Sequence, residues 1–158
     1  MLRLSRLTDY SVVILEVMSR LEGGNNEECN SAATLARAGN LPEPTVSKIL
    51  KLLSRRGIVG AQRGASGGYS LVVPLSQLSL LRVIEAIEGP LVLTDCVETP
   101  VHLGKGACVL ENACGMNGRW TMVNNAVESA LDNITIAAMV TPRCASHNKA
   151  VGAGGVHV

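Results

Sequence analysis

The strongest constraint on this chain is an order of signals in its first half: two short helical stretches around a Gly-Asn break, then two β-like runs joined by glycines. Ser31 can cap a helix over 32–38 that stops at Gly39-Asn40. A second helix starts around Pro42-Glu43-Pro44, where proline suits a first turn and an acid complements the helix N-terminus. It runs through Ile49, Leu50, Leu52 and Leu53 to Arg55-Arg56, with Gly57 as its stop. Ile58 to Gln62 and Tyr69 to Val72 then read as strands, and Arg63-Gly64-Ala65-Ser66-Gly67-Gly68 is rich enough in glycine to join them as a hairpin. Helix, turn, helix and glycine-tipped hairpin is the order of a winged helix–turn–helix. There the second helix of the pair enters the DNA major groove and the wing lies along the backbone or minor groove.

Charge placement agrees with that order. Fourteen basic residues against thirteen acidic ones give a net charge of +1, which names no partner. Between Pro44 and Ile84, however, the chain carries Lys48, Lys51, Arg55, Arg56, Arg63 and Arg82 and no acid. A near-neutral protein thus contains the local basic footprint that phosphates require. Thr45, Ser47, Lys48 and Lys51 fall on or near the face that would meet DNA. Glu43 can accept a hydrogen bond from a cytosine amino group. Arg63, Gly64, Ser66, Gly67 and Tyr69 form a wing where main-chain amides and one guanidinium can approach phosphates unobstructed. An ordinary helical domain with a solvated basic face is the plainer account of the same residues.

On either side of this unit the periodicity is helical. Thr8 can cap a first helix with Tyr10, Val13, Ile14, Val17, Met18 and Leu21 in phase. Ser79 can cap another over 80–88, closed by Gly89-Pro90. A long last helix is expected over 119–133, with Trp120, Val123, Val127, Ala130, Leu131 and Ile134 on one face. That stripe is too long for a small domain to cover alone, so a second copy is the expected partner. With no Phe, two Tyr and one Trp in 158 residues, the core must be aliphatic. The chain divides into a DNA-binding unit at 1–90, a cysteine-rich segment at 91–117, a dimerisation helix at 118–140 and a tail at 141–158 expected to be disordered. No membrane span, signal peptide, phosphate-binding loop or nucleophile triad is visible, which points to a cytoplasmic protein that is not an enzyme and takes no small-molecule substrate.

Five cysteines without an export signal are expected to be reduced thiols. Cys96, Cys108 and Cys114 lie within nineteen residues, separated by eleven and five residues in a glycine-containing stretch. Soft thiolates select iron–sulfur clusters, zinc or copper(I). The spacings are wide for a zinc knuckle and suit a larger inorganic core. Redox thiols and small buried hydrophobes remain the alternatives, the last suiting Cys29 and Cys144 best.

Taken together, several stretches give the chain a family resemblance. They are the opening Met1-Leu2-Arg3-Leu4-Ser5-Arg6-Leu7-Thr8-Asp9-Tyr10, the helix from Leu41 to Arg56, and the wing from Arg63 to Tyr69. To these are added the cysteine segment running into Gly118-Arg119-Trp120 and the closing Leu131-Asp132-Asn133-Ile134-Thr135. In these it resembles the Rrf-two winged-helix regulators, which include iron–sulfur assembly repressors of the IscR kind and nitric-oxide-responsive repressors of the NsrR kind. The opening and Cys114-Gly115-Met116-Asn117-Gly118-Arg119-Trp120 are most similar to the branch that regulates SUF iron–sulfur assembly operons. The resemblance implies a homodimer built on the long C-terminal helix, a double-stranded DNA operator, and a cluster on Cys96, Cys108 and Cys114, [2Fe-2S] rather than [4Fe-4S].

Two features depart from the family pattern: the first two cysteines are further apart, and Asn117 stands where IscR-like members offer histidine. The fourth ligand is therefore open. Asp9, near the acid that NsrR-type relatives are thought to use, is favoured over His102, although an acid at a helix start also serves the macrodipole. The function so implied is a cluster-dependent repressor in which cluster binding or loss favours one orientation of the paired DNA-reading heads. A nitric-oxide- or redox-sensing repressor, a cofactor-free or zinc-stabilised regulator, and an iron–sulfur carrier are the rivals. A carrier has no need of the acid-free segment.

Overall fold

A computed structural model describes residues 3–22, 29–64, 67–94, 97 and 119–140. Its elements in chain order are α1 (Arg6–Glu22), α2 (Ala32–Gly39), α3 (Glu43–Arg55), β1 (Val59–Gln62), β2 (Gly68–Leu71), α4 (Leu80–Glu88), α5 (Arg119–Asp132) and α6 (Ile136–Val140). This is the mainly helical winged helix–turn–helix that the sequence implies. The expected tail at 141–158 lies outside the described residues.

Local chemistry accounts for most boundaries. The Ser31 hydroxyl accepts from Thr34 N–H at the start of α2, and Ser79 accepts from Arg82 N–H at the start of α4. Asn40 ends α2 at φ 51°, the left-handed conformation that asparagine tolerates best after glycine. Pro42 precedes the first turn of α3 and Pro44 occupies it, where neither lacks a needed N–H. α1 departs from expectation by starting at Arg6 rather than after Thr8. Ser5 occupies the capping position instead: its carbonyl and hydroxyl both lie within reach of Thr8 N–H. Thr8 itself is buried in the helix.

The C-terminal region differs more. The long helix stops at Asp132, and Ile134 is not a continuation of its stripe. Residues 134–137 form a strap across the domain: Leu80 N–H donates to Ile134 O, Ile136 N–H to Leu78 O and Ala137 N–H to Leu75 O. Thr135 then caps α6, its hydroxyl accepting from Ala138 N–H. This strap drives Ile136 into the core at 0% exposure, so the segment after α5 completes the N-terminal domain.

The core is aliphatic as expected. Ile14, Leu15 and Met18 of α1, Leu35 of α2, Ile49, Leu50 and Leu53 of α3, and Ile84 of α4 are all fully or almost fully buried. At the ordinary scale of about 1.5–3 kcal/mol for each fully buried aliphatic side chain, this cluster is what holds α3 at a fixed angle to its neighbours.

Candidate nucleic-acid interface

Helix α3 turns Val46, Ile49, Leu50 and Leu53 inward, so its remaining positions must face outward. Pro44, Ser47, Lys48, Lys51, Leu52 and Arg55 line one shallow concavity on that outer face. Ser47, Lys48 and Lys51 were legible candidates; Pro44, Leu52 and Arg55 extend the surface. Leu52 shows that the face is not uniformly polar, a feature suited to meeting a thymine methyl. Glu43 is exposed at the helix start and Thr45 is half-buried beside it. In α3 no acid follows Glu43, so the rest of the helix presents only positive and neutral groups.

The wing is an antiparallel pair with Val59 opposite Leu71, Gly60 opposite Ser70, Ala61 opposite Tyr69 and Gln62 opposite Gly68. Arg63 and Gly64 are exposed at its end. A Cβ on Gly67 would lie 2.5 Å from Gln62 O, so the turn itself demands glycine there. A Cβ on Gly68 would lie 2.8 Å from the backbone of Cys29 and Asn30. That close approach has a purpose: Asn30 and Tyr69 exchange both backbone hydrogen bonds at 2.9 Å. The linker before α2 thereby bridges to the wing at Tyr69, one pair in from its Gln62–Gly68 end. Tyr69, expected on the DNA side, is half-buried and packs against the core, with both backbone groups engaged by Asn30. Ser66 lies outside the described residues.

Two further bonds anchor the wing and were not foreseen. Glu22, at the end of α1, accepts from Leu71 N–H at 2.7 Å. Cys29 donates its thiol to Gln62 Oε1 at 3.2 Å, which engages that cysteine at the wing. At the opposite end of α1, Glu88 accepts from Ser5 N–H and from the Thr8 hydroxyl. The Thr8 and Ser5 bonds hold the Glu88 carboxyl below the usual glutamate range, against a smaller opposing effect of burial.

Cys96, Cys108, Cys114 and His102 lie outside the described residues, and Asp9 is exposed in the first turn of α1. Among the described residues no three His, Cys, Asp or Glu side chains come together to hold a metal. The donor set is therefore judged by its chemistry, and three thiolates with one oxygen or nitrogen donor fit an iron–sulfur cluster.

What the structure does show is the approach to that segment. Asn124 of α5 is buried at 1% exposure. Its Oδ1 accepts from Leu93 N–H at 3.1 Å, and its Nδ2 donates to Leu91 O at 3.1 Å and to Glu128 Oε1 at 2.8 Å. The sequence signal was an asparagine in phase with Trp120, Val127 and Leu131. Three large apolar side chains of α5 are left exposed: Met122 at 72%, Val123 at 40% and Trp120 at 37%. Among the described residues, no helix is long and apolar enough to cross a membrane.

Comparison with known proteins agrees with this geometry. Residues 4–142 match the profile of Rrf2, described as an iron-dependent transcriptional regulator. The protein aau3 of Rhizobium meliloti (strain 1021) is 31% identical over 142 residues, covering 90% of this chain and 87% of that one. Among solved structures, CymR, the global cysteine regulator of B. subtilis, is 26% identical with a TM-score of 0.58, over 88% of this chain and 96% of its own. IscR of T. potens is 25% identical with a TM-score of 0.57, over 87% of this chain and 85% of its own.

Proposed function

The chain belongs to the Rrf2 family of transcriptional regulators, and from that premise we propose that it is a dimeric, iron–sulfur-dependent repressor acting at a double-stranded operator. Its target genes are those of SUF-type iron–sulfur assembly. The observation that carries DNA binding is the outer face of α3, where Ser47, Lys48, Lys51 and Arg55 line one concavity, with Arg63 exposed at the end of the wing. In this reading the cations position the helix on phosphates, while Glu43 at its N-terminal end reads a base edge. Two copies, joined through α5, place two such helices on the half-sites of one operator. The family is one of regulators rather than enzymes.

Cys96, Cys108 and Cys114 would hold the cluster, [2Fe-2S] by preference, with Asp9 as fourth ligand ahead of His102. When bound, such a group supplies an inorganic core that oxygen, nitric oxide or iron shortage can alter or remove. The residues' own part is to supply three thiolates that hold iron and one weaker corner that yields first.

Anaerobic purification followed by a visible spectrum and iron and sulfide analysis tests this reading. Cys96→Ala, Cys108→Ala and Cys114→Ala should each abolish the chromophore, whereas Cys29→Ala should leave it. Stoichiometric zinc without iron or sulfide would overturn the cluster assignment. The comparable likeness to a cysteine regulator favours one second reading, a regulator that responds to cysteine supply. A colourless, metal-free protein that still binds its operator would select it.

A further inference from the structure

A buried side chain on α5 is bonded to the backbone that leads into the cysteine segment. The Asn124 amide pairs with Leu93 N–H and Leu91 O as a neighbouring strand would, and Glu128 holds its second amide hydrogen. Leu91 is 7% exposed, so the segment is packed down where the amide grips it. Only three peptide links separate Leu93 from Cys96 in the sequence, a reach of at most about 10 Å. Any displacement of Cys96 larger than slack in those links must therefore pull on Leu93, and through it on Asn124. Beyond Leu93, the Thr94 hydroxyl is buried with no partner among the described residues. Met122, nearly opposite Asn124 around the same helix, is exposed, and so is the neighbouring Val123.

We propose that Asn124 is the positioning residue that couples the cysteine segment to α5, so that the state of Cys96 is passed to the face through which two copies associate. The inference rests on the cluster-dependent reading above and adds to it the physical link between sensor and dimer helix. A hydrophobic contact would slide under such a load. A two-point amide clamp on backbone holds register, because slipping it strands a buried donor and acceptor together.

The test uses the full-length protein, once anaerobically reconstituted and once stripped by chelator, with operator affinity measured for both forms. The wild-type ratio should lie in the usual allosteric range of about 5–150-fold. Asn124→Leu keeps the size of the side chain and removes all three bonds. It should bring the ratio to within about twofold of one, while the cluster absorbance per subunit and the dimer in sedimentation persist. In the stripped protein, hydrogen exchange at the Leu93 amide should accelerate. Glu128→Gln keeps an acceptor for Asn124 and should retain the wild-type ratio; Glu128→Ala should lower it severalfold. If Asn124→Leu fails to fold, Glu128→Ala decides alone. An unchanged ratio in a variant whose Leu93 amide has lost protection would overturn the coupling while leaving the cluster reading intact. A wild-type ratio of one would overturn both.

Discussion

Helices α3 and α5 have thirteen and fourteen residues, yet they solve opposite problems. α3 buries four aliphatic side chains against its own domain and offers cations outward. α5 buries an asparagine and leaves Met122 and Val123 in water. The first helix is complete within one subunit, so what it still lacks is negative charge. The second is incomplete, because exposed apolar area of this kind marks a surface awaiting contact. The face each helix leaves unmatched is the one the proposed function assigns a partner: nucleic acid for α3 and, in that reading, a second copy of α5 for the other.

The sharpest way to break that contrast is to make the outer face of α5 resemble that of a solvent helix. Met122→Glu combined with Val123→Glu should give monomers in sedimentation. It should also weaken operator binding by roughly 10²–10⁴-fold, the usual gain from linking two half-site contacts. A stable dimer in this variant would place the association elsewhere. Val127 and Leu131 are poorer probes than their place in the stripe implies, since both are half-buried and Leu131 packs on the core.

Lys51→Ala asks the converse question of α3. Binding of the wild type should fall steeply with salt, with a log–log slope of roughly −5 or steeper. The substitution should flatten it by about one unit per subunit and weaken all DNA sequences alike. A loss confined to one operator sequence would make Lys51 a reader of bases instead of phosphate.

The smallest effect belongs to Glu88, which touches neither outer face. Its folded pKa lies below the unfolded one, so its contribution is present above the ordinary glutamate range and is lost as pH falls through the lowered folded value. Glu88 is exposed, and solvent screening limits that contribution to a few tenths of a kcal/mol at about neutral pH. Glu88→Gln should flatten the acid limb of a thermal-melting profile by this small amount and leave DNA affinity unchanged. A change in dimerisation would tie Glu88 to α5 after all.

The two helices were also unequally legible. Everything about α3 is written locally: prolines at the start, aliphatics at helical spacing, Gly57 after the end, basic residues on the remaining positions. Capping by Ser31 and Ser79 is equally local. Most of the unforeseen contacts join distant positions: Glu22 with Leu71, Cys29 with Gln62, Glu88 with Thr8, and Asn124 with Leu91 and Leu93. Periodicity grades a residue by its own helix and says nothing of the backbone that will lie against it. For the same reason periodicity places Ile134 on the α5 stripe, whereas Asn133 and the capping Thr135 mark a break that sends Ile136 into the core. On the wing, glycine richness was visible, but its cause at Gly68 was the neighbouring Cys29–Asn30 backbone rather than DNA.

The aliphatic core has an optical consequence. A chain with no Phe and two Tyr has almost no aromatic background, and its single indole sits on α5, 37% exposed beside Met122 and Val123. Emission excited at the red edge of indole absorption, beyond the reach of the two tyrosines, is therefore the emission of one site on α5. Light from Trp120 reports the polarity of that place alone, so the protein carries a native, unlabelled gauge of whether the face is wet or covered.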